Sequence, residues 1–273
     1  MDVRNALKNA QDFLSKSGVP DAKASAEVLL SDALKVERSK LAVIGNEIIA
    51  DESLHVFNEY ILRRSKREPC AYITGSCEFF GYEFKVNENV LIPRPETENL
   101  VEEVLKSGGN SVLDLCAGSG CIAVALAKSG KFKEVLASDI SPKALDIAKF
   151  NAKANGAEII FLISDIFEDI GQKKFDIIVS NPPYVSDDEY LGLEPELMFE
   201  PKLALETKDG GLFFYKQIAG QAKNYLNSGG EIFVELNANK PKEIRKIFED
   251  EGFKNIKIVN DYSNLPRILK ASF

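Results

Sequence analysis

Histidine and cysteine, the residues that most often bind transition metals, are scarce in this sequence and widely spaced. The chain of 273 residues has one histidine, His55, and four cysteines: Cys70, Cys77, Cys116 and Cys121. Structural zinc sites draw their ligands from closely spaced cysteine and histidine pairs. We therefore predict no metal site, and we interpret the cysteines as free thiols that pack as small apolar side chains.

Long apolar runs and an excess of basic residues are also absent. No run of about 18 apolar residues occurs, and the start, MDVRNALKNAQ, has no apolar segment typical of a signal peptide. The chain has 42 acidic and 34 basic residues, a net charge of −8. Direct DNA binding is not expected because it needs a positive field. We expect a cytoplasmic monomer with no membrane attachment.

Hydrophobic periodicity divides the chain into three regions. Residues 1–70 contain segments with apolar residues at helical spacing, which predict a small helical bundle. Residues 71–93 are rich in aromatic and β-branched residues punctuated by glycines, which is typical of a β-hairpin, here a linker. Residues 94–273 alternate short apolar strands with helical segments. This alternation predicts an α/β, Rossmann-like domain with a largely parallel, doubly wound sheet.

The strands expected in this domain are short and apolar on both faces. They are predicted at residues 111–115, 134–140, 159–165, 175–181, 231–237, 254–262 and 267–273. After the second strand, Ser141 is expected to cap a helix with Pro142 in its first position. Ligands of such sheets bind at the carboxyl ends of the strands, so functional residues are expected there.

A glycine-rich loop follows the first predicted strand. In Asp114-Leu115-Cys116-Ala117-Gly118-Ser119-Gly120, the two glycines permit a tight turn and a close approach of the backbone to a ligand. Asp139 ends the next strand, the position from which a carboxylate accepts hydrogen bonds from ribose hydroxyls. The pattern predicts a cofactor that contains adenosine.

Two cofactors satisfy this pattern. Gly118, Gly120 and Ala123 loosely match the fingerprint of NAD-dependent oxidoreductases. Asp114 favours S-adenosyl-L-methionine instead, because its carboxylate can face an ammonium group, which NAD lacks; alternatively, Asp114 only closes the turn. Asp165 ends the third strand, where it is a candidate acceptor for the adenine amino group or a solvated acid.

The tetrapeptide Asn181-Pro182-Pro183-Tyr184 directly follows the fourth strand. The side-chain oxygen of Asn181 and the carbonyl of Pro182 can accept the two hydrogens of a planar amide or amino nitrogen. Tyr184 is expected to stack on the planar acceptor. The tetrapeptide predicts methyl transfer driven by orientation, without a general base; alternatively, it is a simple proline-rich loop.

Several segments together resemble the HemK/PrmC family of release-factor glutamine methyltransferases. They are YITGSCEFFGYEFKVNENVLIPRPETE, DLCAGSG, SNPPYV, FEPKLALE and DYSNLPRILKA, together with Asp139. The resemblance covers almost the whole chain. It implies a helical substrate-recognition domain, a hairpin linker and a class I methyltransferase domain that uses S-adenosyl-L-methionine. It also implies methylation of N5 of the glutamine in the Gly-Gly-Gln motif of peptide chain release factors.

The resemblance also assigns roles to individual residues. Asp139 would bind the ribose, Asp165 and Ile166 would lie beside the adenine, and residues 181–184 would bind the substrate glutamine. The cofactor loop would be formed by Cys116, Ala117, Gly118, Ser119 and Gly120. Two positions depart from the family pattern: Cys116 replaces a usual glycine, and Ile166 stands where an aromatic residue is common. We expect the cysteine to fit if its φ is negative.

Two other functions fit parts of the sequence. An adenine-N6 DNA methyltransferase acts on an equally planar nitrogen, although the net charge and the lack of a target-recognition domain oppose it. A non-catalytic adapter that binds a nucleotide cofactor would not need the Asn-Pro-Pro-Tyr segment. The basic cluster Arg63-Arg64-Lys66-Arg67 is interpreted either as a contact for an acidic partner or RNA, or as cations at a helix C-terminus.

Overall fold

The chain folds into two units, which a computed structural model describes over all 273 residues. The first unit comprises Met1–Ser76 together with Glu194–Phe199, and the second comprises Cys77–Leu193 together with Glu200–Phe273. The first is helical and the second is α/β, as the sequence predicted. No helix in either unit is both long and apolar enough to cross a lipid bilayer.

The first unit is built from helices that bury small and aliphatic residues against each other. Its helices are α1 (Val3–Lys16), α2 (Ala22–Leu34), α3 (Asp51–Arg64) and α4 (Cys70–Thr74), with 3₁₀ turns at Arg38–Ala42 and Pro195–Phe199. Asp2 caps α1 by accepting a hydrogen bond from the backbone N–H of Asn5 at 2.8 Å. Leu14, Leu29 and Phe57 form part of the core and are at most 2% exposed.

The basic cluster at the end of α3 is engaged in ion pairs within this unit. Arg64 is only 3% exposed, and its Nη2 lies 2.9 Å from Oε1 of Glu196. Arg67 binds the other oxygen of Glu196 at 2.5 Å, and Arg63 binds Glu68 at 2.5 Å. Arg63 and Arg64 lie in the last turn of α3, which agrees with the interpretation of the cluster as cations at a helix C-terminus, and all three arginines form ion pairs inside the unit.

The predicted hairpin is shorter than residues 71–93. Helix α4 takes the start of that segment because Ile73, 5% exposed, packs into the helical core, and Gly75 ends it at φ +84°. The hairpin consists of β1 (Ser76–Phe79) and β2 (Tyr82–Lys85). Both residues between the strands have positive φ, as a two-residue hairpin turn requires.

A seven-stranded sheet forms the centre of the second unit. Its strands are β3 (Ser111–Leu115), β4 (Glu134–Asp139), β5 (Ile160–Ile163), β6 (Phe175–Ser180), β7 (Leu226–Glu235), β8 (Lys254–Asn260) and β9 (Pro266–Ser272). The order is β5-β4-β3-β6-β7-β9-β8, and β9 runs antiparallel to both of its neighbours. All seven predicted strands exist. β7 begins five residues earlier than predicted (226 against 231), because pairing with β6 continues through an irregularity beyond Gly230.

Helices cover both faces of this sheet. The longer ones are α5 (Pro95–Leu105), α6 (Cys121–Lys128), α7 (Pro142–Ala154), α11 (Phe213–Ala222) and α12 (Pro241–Asp250), and the single turns are α8 (Asp187–Tyr190), α9 (Lys202–Leu205) and α10 (Lys208–Gly211). The predicted cap of α7 is confirmed, since Ser141 Oγ accepts from the N–H of Ala144 at 3.2 Å.

The core of the second unit consists of two clusters, and successive strand residues alternate between them. Val112 and Ile177 belong to one cluster, whereas Leu113 and Ile178 belong to the other. Each fully buried side chain of this size contributes about 1.5–3 kcal/mol. With both faces of the sheet covered, the carboxyl edge of the parallel strands is the place for a ligand.

Candidate active site

The loop after β3 has positive φ angles at three alternate residues. They are +58° at Cys116, +54° at Gly118 and +79° at Gly120. The negative φ that we set as a condition for cysteine to fit at position 116 is not found. The chain must turn there from β3 towards β4, where the N–H of Ala117 donates to the carbonyl of Ser138 at 3.0 Å. A residue with a side chain loses about 1–2 kcal/mol in this left-handed conformation, so the loop is strained at Cys116.

Asp139, at the end of β4, is bound to this loop through its backbone. Its Oδ2 accepts a hydrogen bond from the N–H of Gly118 at 2.9 Å, and its Oδ1 accepts from the N–H of Ser141 at 2.9 Å. Burial raises the pKa of Asp139, and these backbone hydrogen bonds oppose the rise. A carboxylate can accept further hydrogen bonds, so Asp139 keeps acceptor capacity for a ligand hydroxyl.

The turn after β5 also contains a strained residue. Ile166 has a φ of +51°, which is rare for a β-branched side chain. Ser164 stabilises the turn, because its Oγ donates to the carbonyl of Ile166 at 3.1 Å and accepts from the N–H of Asp169 at 3.0 Å. Asp165 lies between these residues and is exposed. Both departures from the family pattern, Cys116 and Ile166, therefore lie at positive φ.

These strand ends line a cleft of about 410 Å³. That volume is in the range of small-molecule sites. Seven of the predicted site residues line it: Cys116, Gly118, Asp139, Asp165, Ile166, Asn181 and Pro183. A Cβ on Gly118 would contact nothing within 4 Å and would project into the open cleft. Sequence reasoning missed the other walls, which are formed by Asn89, Val90, Leu203, Phe213 and Phe214 among others.

The remaining predicted residues are not among those that line the cleft. They are Asp114, Ala117, Ser119, Gly120, Pro182 and Tyr184. Asp114 is fully buried, and its Oδ2 accepts from the N–H of Ala123 at 3.1 Å in the first turn of α6. Its Oδ1 has no partner, and burial raises its pKa well above the usual value. This geometry fits the alternative interpretation, in which Asp114 closes the turn; its contact with an ammonium group stays a prediction.

Gly120 serves packing between helices. A Cβ at Gly120 would lie 3.0 Å from the Cβ of Ala148 on α7, so only glycine fits without movement. The residue also has φ +79° at the start of α6. Gly118 faces the cleft and Gly120 faces a helix. Glycine is therefore needed at the two positions for different reasons: the first leaves room for a ligand, and the second allows close helix packing.

The Asn-Pro-Pro-Tyr segment leaves the end of β6 and enters the core. Tyr184 is half-buried and packs against the cluster that contains Leu113, and burial raises the pKa of its hydroxyl. Its carbonyl accepts a hydrogen bond from Nδ2 of Asn237 at 3.2 Å. The next residue, Val185, pairs with the FEPKLALE segment, since its N–H donates to the carbonyl of Leu205 at 2.9 Å. The segment is thus fixed at its C-terminal side.

Asn181 is fixed by two residues to which sequence reasoning assigned no role. Its Nδ2 donates to Oγ1 of Thr97 at 3.3 Å, and that hydroxyl donates to Oε2 of Glu235 at 2.7 Å. The sequence did contain signals for both residues: Thr97 lies in the PRPETE segment, and Glu235 is an acid that directly follows the apolar run Ile232-Phe233-Val234. Thr97 and Glu235 are both 2% exposed, so the hydrogen bond between them is shielded from solvent.

Ion pairs also involve other segments that carry the family resemblance. The carboxylate of Glu200, in FEPKLALE, binds the guanidinium of Arg94 in IPRPETE and accepts from the N–H of Ile92 at 3.1 Å. Arg267, in DYSNLPRILKA, pairs with Asp261 at 3.0 Å. The first of these ion pairs joins two segments that are far apart in sequence, and the second lies within one segment.

Comparison with known proteins identifies the family to which this chain belongs. A family model described as the PrmC N-terminal domain matches residues 5–75, and one described as the methyltransferase small domain matches residues 95–218. The release factor glutamine methyltransferase of Geobacter sulfurreducens is 38% identical over 270 residues, which span 98% of this chain and 95% of the relative. This chain belongs to the family of release factor glutamine methyltransferases.

A second member of the family, from Leptospira interrogans, is 40% identical to this methyltransferase over 277 residues, or 98% of this chain and 96% of the relative. The comparisons do not favour the DNA methyltransferase or the adapter.

Solved structures agree with the α/β methyltransferase fold. A methyltransferase from Pyrococcus furiosus has a TM-score of 0.55 at 18% identity and covers 71% of this chain and 90% of its own. The 16S rRNA N2 G1207 methyltransferase of T. thermophilus, in complex with AdoMet and guanosine, has a TM-score of 0.54 at 21% identity, with coverage of 72% and 49%. At these identities the likeness concerns the fold alone, and the predicted fold class is confirmed.

Proposed function

We propose that this chain transfers a methyl group from S-adenosyl-L-methionine to N5 of the glutamine in the Gly-Gly-Gln motif of peptide chain release factors. The observation that supports this most is the orientation of Asn181 at the rim of the cleft. Because its Nδ2 donates to Thr97, its Oδ1 is left to accept a hydrogen bond from the acceptor. The similarity to named relatives over 98% of the chain supports the substrate.

The residues of the cleft suit the cofactor. Asp139 has a carboxylate that can accept hydrogen bonds from ribose hydroxyls, and the backbone at Gly118 is open to close approach. Asp165 and Ile166 would lie at the adenine side, the first as an acceptor and the second as an apolar surface. When bound, S-adenosyl-L-methionine supplies an electrophilic methyl group on a sulfonium sulfur.

The chain's own contribution to the reaction is orientation. A side-chain amide nitrogen is a weak nucleophile because its lone pair is delocalised, but it carries two N–H donors. Oδ1 of Asn181 and the carbonyl of Pro182 would accept these hydrogens and direct the nitrogen into the cleft. Tyr184 would stack on the amide plane. The nitrogen becomes acidic once methylated and loses its extra proton to solvent, so no general base is needed.

Transfer of a tritiated methyl group from S-adenosyl-L-methionine tests this function. We expect label on a bacterial release factor, and none on a release factor whose Gly-Gly-Gln glutamine is replaced by alanine. Because the chain is acidic, we also expect no label on duplex DNA. Label on DNA with none on the release factor would contradict the proposal. We further propose that the enzyme acts as a monomer in the cytoplasm, which sedimentation and fractionation would check.

A further inference from the structure

Three elements of the second unit converge on the carboxamide of Asn181. Asn181 follows β6, and Glu235 ends the neighbouring parallel strand β7, in which Val234 pairs with Ser180. Thr97 lies in the first turn of α5 and contacts both. The contacts join residues 84 and 138 positions apart in the chain. An interaction assembled from such distant residues is a property of the tertiary fold.

The direction of the two hydrogen bonds follows from proton counting. An ionised carboxylate accepts hydrogen bonds and donates none, so the single hydroxyl proton of Thr97 must point to Glu235. The oxygen of Thr97 can then only accept, and the Asn181 atom that faces it must be the amide nitrogen. The carbonyl oxygen of Asn181 is thereby turned away from Thr97.

We propose that Thr97 and Glu235 are positioning residues, which fix the Asn181 carboxamide with Oδ1 presented to the acceptor nitrogen. The inference deepens the proposed function and rests on it. Neither residue lines the cleft, so both act through Asn181.

Protonation of Glu235 would remove the constraint that fixes the direction of the hydrogen bonds among Glu235, Thr97 and Asn181. A carboxylic acid can donate to Thr97, whose own proton is then free for Asn181. The carboxamide can now turn over, with Oδ1 accepting from Thr97 and the amide hydrogens facing the acceptor. Two sets of N–H donors would then oppose each other. We therefore expect methyl transfer to fall as Glu235 gains a proton.

The surroundings of Glu235 set the pH at which this happens. Burial raises the pKa of Glu235 to about 7, against the hydrogen bond from Thr97 and the charge of Arg267, which lower it. The titratable and charged groups that face it from the adjacent elements are Arg94, Glu96, Tyr184, Tyr215 and Arg267. The ionised form therefore predominates only above neutral pH, and activity should decline on the acid side.

Three threonine variants test the positioning role. Thr97→Val keeps the shape of the side chain but cannot accept from Asn181, and Thr97→Ser keeps the hydroxyl. We expect Thr97→Val to lower kcat by about 10- to 100-fold, the usual effect of one lost buried hydrogen bond, with KM for the release factor within about twofold. Thr97→Ser should keep kcat within about threefold of wild type. The matched control is Thr207→Val, because Thr207 is buried but its hydroxyl has no partner.

The pH profile provides a readout that a merely structural role would not move. For wild type, the single-turnover transfer rate at saturating cofactor should fall about tenfold per pH unit below about pH 7. Glu235→Gln should be flat there, because its amide does not titrate. An acid limb that persists in Glu235→Gln, a Thr97→Val kcat within about twofold of wild type, or an equal loss in Thr207→Val would each overturn the inference.

The same assay separates the two proposals. Wild-type enzyme that does not label the release factor contradicts the proposed function. Wild-type enzyme that labels it, together with an unimpaired Thr97→Val variant, contradicts only the positioning role. Should Thr97→Val fail to fold, the comparison of wild type with Glu235→Gln across pH still decides the matter.

Discussion

We propose that one side of the cleft binds the cofactor and the other binds the acceptor, and different parts of the polypeptide organise these two sides. On the cofactor side, the carboxylate of Asp139 is oriented by the backbone N–H groups of Gly118 and Ser141, at most 21 residues away. On the acceptor side, Asn181 is oriented by the side chains of Thr97 and, through it, Glu235. The cofactor side therefore depends on backbone shape, and the acceptor side depends on side-chain identity.

This difference explains which substitutions the fold accepts. Cys116 lies in the proposed cofactor loop, and its backbone takes the left-handed conformation that glycine prefers. The hydrogen bonds to Asp139 survive because they use backbone atoms. On the acceptor side, a change at Asn181 or Thr97 removes the interacting atom itself, so we expect larger effects there.

The largest effect is expected for Asn181→Ala. It removes the oxygen that would orient the acceptor nitrogen, so kcat for release factor methylation should fall by about 10³-fold. Binding of S-adenosylhomocysteine, measured by calorimetry, should stay within a few-fold of wild type. Asn224→Ala, at an exposed asparagine, is the matched control and should behave as wild type. A variant at Asn181 with more than a tenth of wild-type kcat would show that the oxygen is dispensable.

A smaller and different effect is expected for Asp139→Ala. The loss of a charged acceptor for the ribose and of the loop anchor should weaken S-adenosylhomocysteine binding by about 10- to 100-fold. The value of kcat at saturating cofactor should change much less, because the acceptor side is untouched. Asp169→Ala removes the same charge at an exposed position and controls for electrostatics. Equal binding by the two variants would refute a cofactor role for Asp139.

The smallest effect is expected for Cys116→Gly. Relief of the left-handed strain should outweigh the greater freedom of glycine in the unfolded chain, and raise the free energy of unfolding by up to about 1 kcal/mol. Cys121→Gly makes the same change at a buried helix residue and should lower that free energy by about 1 kcal/mol or more. Urea denaturation measures both. A lower midpoint for Cys116→Gly would contradict the strain at this residue.

Much of the fold was predictable from the sequence because strands and helix caps are indicated by residues that are close together in the chain. The strand ends that carry Asp139 and Asn181 were placed correctly from periodicity, and the cap at Ser141 from its neighbours. The helix Cys70–Thr74 was not, because burial of Ile73 in the helical core outweighs the β propensity of the segment.

The candidate site was predictable only where its residues follow one another in the sequence. Residues of the glycine-rich loop were expected as a group, but which of them face the cleft depends on helix packing, as Gly120 against Ala148 illustrates. The connection from Asn181 to Glu235 joins three elements, so no local pattern indicates it. The ion pairs of Glu196 with Arg64 and Arg67 are equally non-local, so the sequence did not indicate the partner of those arginines.

Mass spectrometry of a release factor after reaction with this enzyme tests the central claim most directly. The account predicts one added methyl group on the peptide that contains Gly-Gly-Gln, with fragment ions that assign it to the glutamine side chain. The same peptide should remain unmodified after reaction with Asn181→Ala. A methyl group on any other residue, or an unmodified Gly-Gly-Gln peptide after complete reaction with the wild-type enzyme, would contradict it.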